Sequence, residues 1–228
     1  MSVDRTELLY GRERTESFRS KKIVLAGLGG VGLYALEALA RAGLKNFILI
    51  DGDKFEESNL NRQLYALPDT LGRPKVQVAR ERILALSPDA AVEAKETFLK
   101  AGNAADLLAP DADFILDAVD DAEAKAALAV YALEHSIPIV SSMGTARRTD
   151  PSKITLTKLG RTEGDPLARK LRKLLRDYPQ AKEIMVVLSK EAPCPVESSQ
   201  PLPSSGMVPA AAGINMAAYV INTFCKNI

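Results

Sequence analysis

Lys22-Ile23-Val24-Leu25-Ala26-Gly27-Leu28-Gly29-Gly30-Val31-Gly32 is the stretch that decides the fold. Its first half is a β-branched apolar run, and its second half satisfies G-x-G-x-x-G at Gly27, Gly29 and Gly32. Leu33 to Ala42 follow at helical period, with Gly43 placed to end the helix. A strand that enters a helix through glycines lets an anion approach backbone amides at the helix N-terminus, where the dipole favours negative charge.

Outward from this loop, short apolar runs alternate with longer amphipathic ones. NFILID reads as a strand, and PKVQVARERILALSP reads as a helix with Pro74 in its first turn. AVEAKETF, DFILDAV and IPIVSSM read as further strands, separated by helical AGNAADLLA and DAEAKAALAVYALEHS. Right-handed crossovers then give an α/β fold with a doubly wound, mostly parallel sheet. Beyond residue 144 the rhythm changes. KITLTKL and EIMVVLS read as strands flanking the basic helix DPLARKLRKLLRDY, and a proline-rich loop leads to a last apolar helix from Met207. The organisation expected is one domain over 1–228, with an N-terminal arm (1–20), a nucleotide-binding core (21–144) and a C-terminal extension (145–228) facing the substrate.

A net charge of +1, 46% hydrophobic and 26% charged residues exclude a molecule that attracts nucleic acid by its overall field. The two cysteines, Cys194 and Cys225, form no CxxC pair, so zinc lacks ligands. Cys194, between two prolines, reads as a loop thiol. His135 reads as a helix-end residue. The charged N-terminus has no signal-peptide core and the last helix is a poor membrane span, so a cytoplasmic enzyme away from membranes is expected.

The glycine loop with Asp51, nineteen residues past Gly32, is by itself the fingerprint of a NAD-dependent oxidoreductase. The stretch from Asp51 to Gln63, followed by Gly72-Arg73-Pro74-Lys75, moves the reading to ATP. Arg62 and Lys75 supply more positive charge than a pyrophosphate needs, and Asn59 adds a hydrogen-bonding amide. Asp117-Ala118-Val119-Asp120-Asp121 brings carboxylates to the end of the fourth strand, suited to Mg²⁺. Taken singly these residues read equally as loop polarity, and Asp121 as an N-cap.

GLGGVG, IDGD, SNLNRQ, GRPK and DAVDD together resemble the ThiF/MoeB/HesA superfamily, related to ubiquitin-activating enzymes. That resemblance implies ATP on Gly27, Gly29, Gly30 and Gly32, with its ribose on Asp51 beside Asp53. It implies phosphates near Asn59, Arg62, Gln63 and Lys75, and Mg²⁺ on Asp120 next to Asp121. It also implies a homodimer in which Arg5 reaches the partner's ATP. The catalytic set expected is Arg62, Lys75, Asp120 and Arg5.

Within the superfamily, Arg5-Thr6-Glu7-Leu8-Leu9, Thr149 to Ile154, Asp165 to Arg172 and Met207 to Gly213 resemble the tRNA threonylcarbamoyladenosine dehydratase branch. That branch adenylates the threonyl carboxylate of a modified adenosine in tRNA, and a urea nitrogen of the same group closes a ring. The alternative is activation of the C-terminus of a ubiquitin-like sulfur-carrier protein, with sulfur-transfer partners. Ser189-Lys190-Glu191 and the short loop Ala192 to Ser205 depart from that branch.

Between Arg161 and Lys182, seven basic residues face three acidic ones. Arg169, Arg172, Lys173 and Arg176 fall on one helix face, opposite Leu167, Leu171, Leu174 and Leu175. This is a stripe suited to a phosphate backbone, which Arg147 and Arg148 would extend toward the ATP.

Overall fold

The computed structural model describes residues 4–196 and 202–226. After helices α1 (Asp4–Tyr10) and α2 (Arg12–Ser20) come β1 (Lys22–Ala26), α3 (Gly32–Arg41), β2 (Asn46–Ile50), α4 (Lys75–Leu86) and β3 (Ala91–Lys95). The chain continues through α5 (Ala104–Leu107), β4 (Phe114–Asp117), α6 (Ala122–Glu134), β5 (Ile139–Ser142), β6 (Ile154–Lys158), α7 (Pro166–Leu174), β7 (Met185–Ser189) and α8 (Met207–Lys226). The strands form one sheet in the order β3-β2-β1-β4-β5-β7-β6, parallel except at β6–β7. The expected doubly wound α/β arrangement is present, with the C-terminal third extending the same sheet.

A parallel sheet must be covered on both faces, so its strands carry apolar side chains in both directions. β1 does this by strict alternation. Ile23 and Leu25 join a core with Leu33, Leu36, Leu39 and Phe224, while Val24 and Ala26 join one with Leu128, Ala132 and Leu171. α8 crosses α3 so closely that a Cβ on Gly213 would lie 2.3 Å from the Val31 carbonyl. By length and composition α8 alone among the described helices could cross a membrane, yet half of its most apolar window is buried in this fold.

Register sets the site. Ala26 is level with Ile50 on one side and Asp117 on the other. Gly27, Asp51 and Ala118 therefore leave the sheet side by side, at the strand ends where such folds bind ligands.

Two helices beneath this edge are tied by one carboxylate. Glu37 of α3 accepts from Arg82 of α4 at 2.7 and 3.1 Å, from the Tyr65 hydroxyl at 2.7 Å and from Arg41 at 2.8 Å. Burial alone would raise the Glu37 carboxyl, but the hydrogen bonds from Arg82, Tyr65 and Arg41 outweigh it and hold the group at about 2. A carboxyl lowered in the folded state stabilises the protein above its ordinary value of 4.5, and that contribution is lost as pH falls toward about 2. Glu37→Gln is therefore expected to lower the urea midpoint at pH 6 and to flatten its decline from pH 4.5 to 2.5. A decline as steep as the wild type's would remove Glu37 as its source.

Candidate active site

Gly27 has φ +88, and a Cβ there would stand 2.6 Å from the Ala118 carbonyl; one on Gly32 would stand 1.9 Å from the Gly27 oxygen. Only glycine permits this turn against the neighbouring strand end. Gly29 is different, because a Cβ there would meet nothing nearer than Gln63 Nε2 at 4.0 Å. Its face is open to a cleft of about 340 Å³.

That cleft brings together Gly27, Gly29, Gly30, Asp51, Asp53, Asn59, Arg62, Gln63, Lys75, Asp120 and Asp121. Gly32 sits behind them as the first residue of α3. Asp51 is fixed by the amides of Leu28 (2.6 Å) and Asp53 (2.7 Å). Burial raises its carboxyl, opposed by Lys75 and these amides. Lys75, at the start of α4, is 4% exposed and pairs with Asp53 at 2.8 Å. Pro74 stands just before that helix as its cap, not inside it.

Asn59 is spent locally. Its Oδ1 accepts the Glu56 amide at 3.1 Å and closes the short 3₁₀ turn 57–59. The turn presents Arg62, whose Nη1 donates to the Ser58 carbonyl at 2.5 Å and to Asn61 at 3.1 Å. Gln63 is buried, and its Oε1 lacks a hydrogen-bond partner. Asp121 caps α6 through the amides of Glu123 and Ala124, whereas Asp120 beside it is exposed.

A second cleft of about 560 Å³ adjoins the first and shares Gly30, Arg62, Val119, Asp120 and Thr145 with it. Ser142, Gly144, Arg147, Arg148, Asp165 and Leu167 form its outer part. The basic helix α7 begins at this cleft, at Asp165-Pro166-Leu167, and leads away from it.

The cationic stripe is narrower than the sequence suggests. Arg169, Lys173 and Arg176 are exposed, but Arg172 turns inward and donates to the Thr162 carbonyl at 3.0 Å. At its helical position it borders the face formed by Ala168, Leu171 and Leu175, while Leu174 is exposed. Arg147 is pinned by its Nε to the Cys194 carbonyl at 2.7 Å, and Arg148 is buried. Neither extends a solvent-facing stripe. Arg5 lies on the exposed side of α1, away from its own chain's cleft, near Leu8 and Leu9 at 87% and 73% exposure.

Sequence reasoning missed Thr145, which lies on the seam, and Phe98, which walls the first cleft over Gly52. It also missed Lys125, fully buried under the floor beside Asp117. The last left one trace, a lysine amid the alanines and leucines of a helix destined for burial.

The strand-end cleft, its glycine turn and its two cations, Arg62 and Lys75, define an α/β nucleotide-binding protein, and the chain belongs to the ThiF family, whose model matches residues 3–227. The tRNA threonylcarbamoyladenosine dehydratase of Bacillus subtilis (strain 168) is 32% identical over 240 residues, spanning 98% of this chain and 94% of that one. Crystal structures of the Escherichia coli tRNA N6-threonylcarbamoyladenosine dehydratase in complex with AMP and with ATP superpose with a TM-score of 0.92 each, at 33% and 32% identity. They cover 98% and 99% of this chain and 93% and 94% of theirs. The molybdopterin-synthase adenylyltransferase of Escherichia coli (strain K12) is similar over a shorter span, 31% identity across 70% of this chain and 61% of that one, and the sulfur carrier protein adenylyltransferase of Thermus thermophilus over less still, 36% identity across 49% of this chain and 41% of that one.

Proposed function

We propose that this chain is an ATP-dependent dehydratase that cyclises threonylcarbamoyladenosine in tRNA through an adenylated carboxylate. The observation that carries the reading is the seam: a nucleotide-sized cleft and an acceptor cleft meet at Gly30, Arg62, Asp120 and Thr145. Full-length similarity to dehydratases, against partial similarity to a sulfur carrier protein adenylyltransferase, supports this substrate over a protein tail.

In this reading Gly29 and Gly30 admit the phosphates to backbone amides, and Asp51 orients the ribose. Gln63 lines the cleft with its Nε2 on the Gly29 side, while Arg62 and Lys75 neutralise the phosphates. Lys75 is held in place by Asp53 until a phosphate competes for it. Asn59 acts by shaping the turn that carries Arg62. The carboxylate arrives from the second cleft and attacks the α-phosphorus, pyrophosphate departs, and a urea nitrogen then displaces AMP.

The residues fit Mg²⁺ brought by the nucleotide. Among the described residues no three His, Cys, Asp or Glu gather as a cage, and Mg²⁺ needs only one or two carboxylates besides phosphate oxygens. Exposed Asp120 would hold it, where it would neutralise charge on the departing pyrophosphate. The exposed cations Arg169, Lys173 and Arg176 would grip the tRNA backbone beside the acceptor cleft. Arg5 would act on the cleft of a second copy, docked over Leu8 and Leu9.

Incubating the protein with ATP, Mg²⁺ and tRNA bearing threonylcarbamoyladenosine is expected to yield a nucleoside lighter by one water in mass spectrometry. An unchanged nucleoside, with pyrophosphate exchange appearing only on addition of a Gly-Gly-ended protein, would move the assignment to the sulfur-carrier substrate.

A further inference from the structure

The acceptor cleft contains a cation with a guanidinium nitrogen that no described residue answers. Arg148 lines this cleft at 6% exposure, and its Nε has no hydrogen-bond partner. Two carboxylates line this cleft: Asp120 lies on the seam with the nucleotide cleft, and Asp165 is committed elsewhere, its Oδ1 accepting the Ala168 amide at 2.8 Å and its Oδ2 the Gly144 amide at 3.2 Å. A buried guanidinium nitrogen with no acceptor among the described residues is costly, and folds keep one only where the surroundings hold it in place.

Here they do, on both sides. Arg147 adopts a left-handed backbone with φ +64, its amide donates to the Pro203 carbonyl at 2.8 Å, and its carbonyl accepts from the Cys194 amide at 2.8 Å. The Thr149 amide and hydroxyl and the Asp150 amide all donate to Glu191, at 2.9, 2.8 and 2.9 Å. Glu191 is thus a clamp on the backbone that carries Arg148.

We propose that Arg148 is the acceptor-carboxylate receptor of this enzyme and that it serves both half-reactions; this rests on the dehydratase reading. An acid group approaching a triphosphate is repelled by like charge, and a guanidinium on the acceptor side offsets that repulsion. In the first half-reaction one carboxylate oxygen, oriented by Arg148, forms a bond to the α-phosphorus as the bond to pyrophosphate breaks. In the second, the urea nitrogen bonds to the same carboxyl carbon and its proton passes to water. AMP leaves with the electron pair of the broken carbon–oxygen bond. The remaining oxygen carries negative charge while the carbon is tetrahedral, and the same guanidinium stabilises it there. A grip on the tRNA backbone suits Arg148 poorly, since phosphate contacts need solvent-facing cations such as Arg169 and Lys173.

The test uses the free nucleoside N6-threonylcarbamoyladenosine and its carboxamide analogue, which cannot be adenylated. The wild type is expected to bind the acid about 10-fold or more tightly over the amide, as charged pairs do over neutral ones. Arg148→Gln should lose that preference and slow cyclisation by roughly 100-fold, while the KM for ATP moves less than about twofold. Should Arg148→Gln not fold, Arg148→Lys carries the test: with charge kept and the two-pronged fork lost, the acceptor KM rises while the ATP KM stays. Retention of the acid preference by Arg148→Gln, or an unchanged acceptor KM in Arg148→Lys, overturns the assignment of Arg148 alone. A wild type that binds ATP yet never cyclises the modified tRNA overturns the dehydratase reading and this proposal with it.

Discussion

Arg62→Ala and Asp120→Ala are each expected to reduce acceptor-dependent ATP–pyrophosphate exchange by about 100-fold or more, the scale seen when one preorganised charge partner is removed from a transition state. Neither change should unfold the protein. Among the described residues the Arg62 guanidinium donates only to Ser58 and Asn61 within its own turn, so its removal strands no core group there. Asp120 is exposed between β4 and α6, and the cap of α6 belongs to its neighbour. Both residues sit on the seam of the two clefts, where charge shifts toward the departing pyrophosphate. Asp121→Ala is the informative contrast. It should cost about 1 kcal/mol of stability through the lost cap, with a smaller loss of exchange. Exchange kinetics and thermal melts of the three variants check the assignment; normal exchange by Arg62→Ala or Asp120→Ala would remove that residue from the chemistry.

The sheet was legible because its cause is local. Strands such as Lys22–Ala26 and Asn46–Ile50 must be apolar on both faces, and after their first residue that leaves an unbroken run in the sequence. The glycine turn was legible for a similar reason, since a 1.9 Å approach at Gly32 admits no other residue and so writes itself into the chain. Side-chain direction was harder to read. A stretch of 3.6-residue period with leucines at 167, 171, 174 and 175 fits more than one helix rotation, and contact with α6 and the 159–162 turn chose the one that exposes Leu174 and draws in Arg172. The fate of Arg148 depends on Glu191, Cys194 and Pro203, more than forty residues away, and a basic pair written Arg147-Arg148 carries no mark of that distance. Asn59 reads as a phosphate ligand in the sequence, and nothing there marks that its Oδ1 also closes its own turn.

Lys125→Ala is expected to remove roughly 3–5 kcal/mol of stability, the scale for breaking a buried ion pair by deleting one partner. Lys125 is 0% exposed and donates from Nζ to Asp117 Oδ1 at 3.0 Å and to Ser141 Oγ at 3.3 Å. Ser141 in turn donates to Asp117 Oδ2 at 2.5 Å, and Asp117 Oδ1 accepts the Val119 amide at 3.2 Å. Deleting the lysine leaves a carboxylate with no counter-charge under the sheet edge, which is where the cost comes from. For a chain of 228 residues the melting temperature should fall on the order of 10 °C. The loss should reach function too, because Asp117 fixes the first turn of the loop in which Ala118 backs Gly27 and Asp120 meets the seam. Pairing Lys125→Met with Asp117→Asn removes both charges, and it should recover most of the stability in urea denaturation while ATP binding stays weakened. A cost below about 1 kcal/mol for Lys125→Ala would mean the carboxylate is not relying on that lysine, and the floor of the cleft would need another source of order.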